Sequence, residues 1–334
     1  MKRRAFTFNF VLGAGVAFTG LGDCFSRAGY AQQPATRRRI GVLLVLLSPE
    51  GKEAQAFRRG VRDAGYVEGR DVVIEWRSAN GDYARVPRLA AELVEQNVDV
   101  IVTDTTPATR AAQRATSSIP IVMAIVADPV GDGLVANLSR PGGNVTGLSI
   151  MLAELAVKRL QLLKEATPSL TRVAVLWNPP TPYHSKAVAN LKAAAPTLGM
   201  ELSFISAGSS EEISRAFEAV NRARAQALYV VDCPPFFTHR KMLLKLAEEA
   251  RLAVISAERP YAEEGGLLSY GPSYEEQLRR SAEYVDKILK GAKPSILPIE
   301  QPVKLVLVVN LKTARALGIG ISQSITLRAD ELIH

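Results

Sequence analysis

From residue 40 onward the chain alternates between short apolar runs and stretches in which apolar side chains recur every three or four positions. Residues 40–47 form one unbroken run, with Arg37, Arg38 and Arg39 before it and Ser48-Pro49 after it. Such a run, closed by a turn signal, predicts a buried strand. Residues 52–64 carry Ala54, Phe57, Val61 and Ala64 at helical spacing, and Gly65 follows as a helix stop. The same reading predicts strands over 72–76, 98–102, 120–126 and 144–150, with helices over 86–96, 108–116 and 152–166. A second series follows: strands over 173–177, 201–205, 228–231 and 253–256, and helices over 186–198, 211–224 and 240–251. The chain ends with a strand at 266–270, a helix at 274–290, a strand at 305–309 and a helix at 311–317.

Strands that alternate with helices predict an α/β fold with parallel sheets covered on both faces. The βα series runs twice with no long linker between. That predicts two similar α/β lobes rather than one long sheet. Elements that return late in the chain predict a hinge crossed several times, at 147–149, 270–272 and 297–302. The expected lobes are 39–147 with 272–296, and 148–271 with 297–334.

The segment before this pattern reads differently. Lys2, Arg3 and Arg4 precede an apolar stretch over 8–22, and Gly29-Tyr30-Ala31 offers small residues for cleavage. That is a signal peptide over 1–31, removed on export, followed by a basic tail over 32–38. Arg3-Arg4 fits either a Sec or a twin-arginine signal. Leu21-Gly22-Asp23-Cys24 is a poor lipobox because Asp23 stands where a small residue belongs, so no lipid anchor is expected at Cys24. The expected location is the periplasm.

The 334 residues suit about two domains. A composition of 47% hydrophobic and 22% charged residues is that of a globular chain, not a disordered or polytopic membrane one. Three of the eight net positive charges lie within residues 1–31. No basic groove interleaved with aromatics appears later, so no nucleic-acid partner is expected. Two cysteines and three histidines leave little for metal chemistry, and no His-x-x-x-His or Cys-x-x-Cys pair occurs.

Enzyme signatures are missing too. No Gly-x-Gly-x-x-Gly follows a strand, and neither a P-loop nor a Gly-x-Ser-x-Gly elbow occurs. His184 and His239, each just before a helix, read as surface or cap residues. Cys233 reads as a small buried hydrophobe. Trp177 ends a strand, as core or as a stacking surface.

In open parallel sheets ligands sit beyond the carboxyl ends of strands. That rule selects Ser48, Thr105, Thr106 and Asp128 from the first series. From the second it selects Asn178, Tyr183, Asp232, Glu258 and Tyr270. Thr105 and Thr106 open a helix; either they only cap it, or they also help hold an anionic group. Asp128 or Asp232 can accept from an ammonium, and Tyr183 or Tyr270 can cover an apolar part.

Several stretches taken together are recognisable. They include Gly65-Tyr66-Val67-Glu68-Gly69, Asp128-Pro129-Val130-Gly131 and Val173-Ala174-Val175-Leu176-Trp177-Asn178-Pro179. The most specific is Leu138-Ser139-Arg140-Pro141-Gly142-Gly143-Asn144-Val145-Thr146-Gly147. Gly265-Gly266-Leu267-Leu268-Ser269-Tyr270-Gly271 and Asn310-Leu311-Lys312-Thr313-Ala314 add to it. Over nearly all of 38–334 the chain resembles the ABC transporter substrate-binding protein family that includes the tryptophan- and tyrosine-binding lipoproteins. Ala127 and Asp232-Cys233-Pro234-Pro235 depart from the family's usual turns.

The resemblance implies a type I periplasmic-binding-protein fold of two Rossmann-like lobes. It implies a monomer without cofactor or catalysis, which holds an amino acid or aromatic acid between its lobes and passes it to an ABC permease in the inner membrane. Two other readings stand beside it: an exported ligand sensor of the same fold, and an α/β enzyme with an unrecognised active site, for which Cys233 is the unusual candidate.

Overall fold

A computed structural model describes residues 37–334. The predicted export signal, Cys24 and most of the basic tail lie outside the described residues. The first series is β1 (Arg38–Leu44), α1 (Lys52–Asp63), β2 (Val72–Ser78), α2 (Val86–Glu95), β3 (Val100–Thr103), α3 (Thr106–Ala115), β4 (Ile121–Val126) and β5 (Val145–Ser149). Next come α4 (Ala156–Ala166), β6 (Arg172–Trp177), α5 (Pro182–Ala194), β7 (Glu201–Ser206), α6 (Ser210–Arg222) and β8 (Ala227–Val230). Then α7 (Pro234–Thr238), α8 (Arg240–Glu249), β9 (Ala253–Ser256), α9 (Arg259–Glu263) and β10 (Leu268–Pro272) follow. The chain closes with α10 (Tyr274–Leu289), β11 (Leu305–Asn310), α11 (Leu311–Leu317), α12 (Gln323–Arg328) and β12 (Glu331–Ile333).

These strands form two sheets, one of five strands in the order β2-β1-β3-β4-β5 and one of seven in the order β12-β11-β10-β9-β8-β6-β7. Alternate side chains of each strand feed opposite faces, as pleating requires. In β1, Val42 and Leu44 meet Phe57 and Val61 of α1, whereas Leu43 meets Leu89 and Leu93 of α2. In β6, Val173 and Val175 join the core that holds Leu160 of α4 and Leu191 of α5. Ala174 and Leu176 join the one with Ile213, Phe217 and Leu243. Both sheets are therefore covered twice, which explains why their strands read as continuous apolar runs.

One pair departs from the all-parallel expectation: β10 and β11 are antiparallel, with Tyr270 opposite Leu307. The reason lies in the path between them. After β10 the chain leaves the second sheet, forms α10 against the first, and only then returns. It makes no βαβ crossover within one sheet, so the rule that makes such strands parallel does not apply.

Helix α10 packs on α1 and on the first sheet, with the Tyr66 hydroxyl bonded to Asp286 at 3.0 Å. The two helices meet at Gly60, where a Cβ would land on the Arg279 carbonyl oxygen and close to the Ala282 Cβ. In β5, Gly147 has φ +126° and lies against the Met123 backbone, so a side chain is excluded twice over. The amide of Asn144, just before β5, donates to the Thr116 and Ile119 carbonyls. That side chain is a turn brace, as its place before the strand suggests.

Candidate functional site

A cavity of about 360 Å³ lies between the carboxyl ends of the two sheets. Almost every wall segment directly follows a strand. Leu46 and Leu47 follow β1, Asp104–Pro107 follow β3, Ala127 and Asp132 follow β4, and Ile150 and Leu152 follow β5. From the second sheet come Asn178 and residues 180–183 after β6, Asp232–Pro235 after β8 and Glu258 after β9. Tyr274, the first residue of α10, completes the wall.

Hydrogen bonds tie these loops to one another. Asp104 is 1% exposed, and its Oδ2 accepts from the backbone N–H groups of Val45 at 2.8 Å and Leu46 at 3.2 Å. The loops after β1 and β3 are thereby joined. Burial pushes its carboxyl up to about 6, although those donors act the other way. Thr105 caps α3 by accepting from the Ala108 N–H, and Thr106 donates to Asp132 Oδ2 at 2.7 Å. Burial also raises the Asp132 carboxyl.

On the second sheet the key brace is His184, which is fully buried rather than on the surface. Its Nδ1 accepts from the Asn178 N–H at 2.9 Å, so the proton sits on Nε2 and is donated to the Asp232 carbonyl at 3.1 Å. Burial lowers its pKa to about 4, and the ring stays neutral. Of the two readings, surface or cap, the surface one is corrected: His184 lies in the first turn of α5 and is buried. Here the helix start points into the molecule.

Asp232 in turn accepts from the Ser256 hydroxyl and from the Ala257 N–H at 2.8 Å, joining the loops after β8 and β9. Both of its oxygens are thus engaged within the protein. Burial raises its pKa, and the buried Arg159 behind it opposes the rise. Glu258 accepts from the Tyr274 hydroxyl at 3.1 Å. Burial first, and the Asp232 charge second, push its carboxyl well up. Burial pushes the Cys233 thiol up to about 12, so the thiolate is scarce near neutral pH.

Of the residues selected by the strand-end rule, Thr105, Thr106, Asn178, Tyr183, Asp232 and Glu258 stand on the cavity wall. Ser48, Asp128 and Tyr270 do not. Ser48 is turned away, donating to Glu50 Oε2 at 2.6 Å. Asp128 accepts from the Gly131 N–H at 2.9 Å and lies in a neighbouring groove, 3.9 Å from Lys186 Nζ. Tyr270 sits within β10, packed on the core, and Tyr274 takes the place expected of it. Asp104, Asp132 and Tyr83 were missed. Asp104 and Asp132 stand in strand-end loops beside selected residues, which was the available signal. Tyr83 precedes α2 and is not at a strand end.

Comparison with known proteins gives a consistent set of likenesses. A family model described as ABC transporter substrate binding protein matches residues 40–333. The chain is 28% identical over 282 residues to a tyrosine-binding protein of Clostridioides difficile (strain R20291), covering 84% of this chain and 81% of that one. A solved structure in complex with L-Trp, from Streptococcus pneumonia, superposes with a TM-score of 0.82 at 26% identity, covering 89% of this chain and 100% of that one. The ligand-free, open structure of a substrate binding protein with adhesive properties from Clostridium difficile superposes with 0.68 at 27% identity, covering 89% and 99%.

Proposed function

Because the chain belongs to the ABC transporter substrate-binding protein family, we propose that it captures one small molecule between its lobes and delivers it to an inner-membrane ABC permease. The observation that carries this reading is the cavity itself, walled by strand ends of both sheets. The family and the type I periplasmic-binding-protein fold are those of binding proteins rather than enzymes. In this proposal the lobes are 39–147 with 272–296, and 148–271 with 297–334. The protein acts as a monomer in the periplasm.

The ligand first docks on one lobe, against Thr105 and Thr106. Hinge closure then brings Asn178, Tyr183 and Glu258 onto it, while Asp232 holds the loops in place. Closure stabilises only the liganded state, which is how binding shifts the open–closed equilibrium. The arrangement described above corresponds to the closed state. At nearly equal identity, the chain superposes better on the relative with bound L-Trp (TM-score 0.82) than on the open, ligand-free one (0.68). The relatives' ligands, L-Trp and tyrosine, and the mostly apolar wall support a ligand with an aromatic body.

The test is thermal unfolding of the purified protein against amines, amino acids, aromatic acids, sugars and small organic acids. A ligand at one hundred times its Kd adds about 2.7 kcal/mol, a melting shift of several degrees. The expected result is such a shift from one chemical class, with no compound consumed. No shift by any compound, or turnover of one, overturns the reading.

A further inference from the structure

The cavity wall carries four carboxyl side chains: Asp104, Asp132, Asp232 and Glu258. Each is at least nine-tenths buried, with exposures of 1%, 6%, 2% and 8%. Among the described residues that line the cavity, none is a lysine, arginine or histidine. A binding site for an amino acid or an aromatic acid has to neutralise a carboxylate. This wall holds nothing cationic with which to do so.

Hydroxyls and helix starts are the other means of holding a carboxylate, and the Thr106 hydroxyl is already donated to Asp132. At the helix starts stand prolines. Pro107 is the second residue of α3, Pro182 the first of α5, and Pro234 and Pro235 the first two of α7, and all four line the cavity. Each proline removes one N–H donor where it would face the ligand.

The four acids are not equally satisfied. Asp232 has both oxygens bonded and Arg159 behind it. Asp132 has Thr106 on Oδ2 and the positive charge of Arg110 nearby, while its Oδ1 is buried without a partner. Glu258 has only the Tyr274 hydroxyl, on Oε1, and its Oε2 is buried without a partner. The cation nearest to it in effect, Arg240, is spent on an ion pair with Glu264 at 2.7 Å. Asp104 Oδ1 is likewise buried without a partner. Glu258 and Asp104 follow strands of opposite sheets and line one cavity. Tyr83, whose hydroxyl is also unpartnered, feels the charge of both. A buried carboxyl without a donor is costly, and a ligand that brings N–H donors and positive charge removes that cost.

We infer that this chain, used as the proposed binding protein, takes a protonated amine with an apolar or aromatic body and no carboxylate. Its ammonium lies between the Glu258 and Asp104 carboxyl groups. The inference rests on the binding-protein reading and narrows it to a substrate class. It sets this chain apart from the relatives with bound L-Trp or a tyrosine-binding name.

The experiment is calorimetric titration of the purified protein with matched probes at about pH 7.5: tyramine, L-tyrosine and 3-(4-hydroxyphenyl)propionate, then tryptamine, L-tryptophan and indole-3-propionate. The expected result is that an amine binds at least about tenfold more tightly than its amino acid, with no detectable binding of its acid. Glu258→Gln and Asp104→Asn, each verified as folded by circular dichroism, then weaken the amine by about tenfold or more. An amino acid or acid that binds as tightly as its matched amine overturns the inference. So does an amine affinity untouched by both substitutions. A melting shift in the broader panel from neutral or acidic compounds alone sinks the inference and leaves the binding-protein reading standing. No shift from any compound sinks both.

Discussion

Burial keeps the His184 imidazole neutral down to about pH 4, whereas the unfolded chain binds that proton from its ordinary value of 6.5 downward. Between those values the unfolded state holds more protons. Stability therefore drains as pH falls through the window, by about 3 kcal/mol in all. Asp104 works in the opposite direction. Its ordinary value is 3.8 and its folded value about 6, so the folded state holds more protons between them. Stability is lost as pH rises from 3.8 to about 6, again by about 3 kcal/mol. The two effects nearly offset each other across the acid range. Asp104→Asn should leave the His184 effect alone. The variant should be more stable than the parent by up to about 3 kcal/mol near neutral pH, and should lose that margin towards pH 4. Urea unfolding of both proteins at about pH 4.5 and about pH 7.5 checks it. Whether a residue follows a strand was legible in the sequence; which way its side chain turns was not. Ser48 and Glu258 both follow strands, yet Ser48 bonds back to Glu50 while Glu258 faces the cavity. That difference depends on loop conformation, which no local pattern encodes.

At the scale of elements, α1 and α10 decide how the site is framed. Their approach at Gly60 leaves no room for a methyl group against the Arg279 carbonyl. Gly60→Ala should force the helices apart and cost about 1–3 kcal/mol, a loss that denaturant unfolding would measure. Tyr274 opens α10 and bonds Glu258, so the same substitution should also loosen ligand binding. The long helices and buried strands were legible because hydrophobic period and run length survive in any context. Helices α7, α9 and α12 were not foreseen. At five or six residues each they show no period, and tertiary packing alone makes them helical. Helix α5 starts at Pro182, four residues before the expected position, because proline is at home in a first turn.

At the scale of the whole molecule, the doubling of the βα series was legible as two sheets; the antiparallel β10–β11 pair was not, because its cause is a path between sheets. In the proposed closure, Tyr274 to Glu258 is one of the contacts that join the two lobes. Small-angle scattering should show a smaller radius of gyration when the compound found in the melting screen is added, and no such decrease with an inactive compound. The return of α10 to the first sheet has a further consequence, for the order in which the chain acquires structure. Phe57 and Val61 of α1, formed early, are packed in part by residues of α10, more than two hundred positions later. Such distant contacts are slow to form because the loop must close before they repay its entropy. A chain released only as far as β10 lacks α10, so the face of the first sheet that α1 and α10 share is covered by α1 alone. The first sheet is fully covered only once the chain beyond β10 has been made.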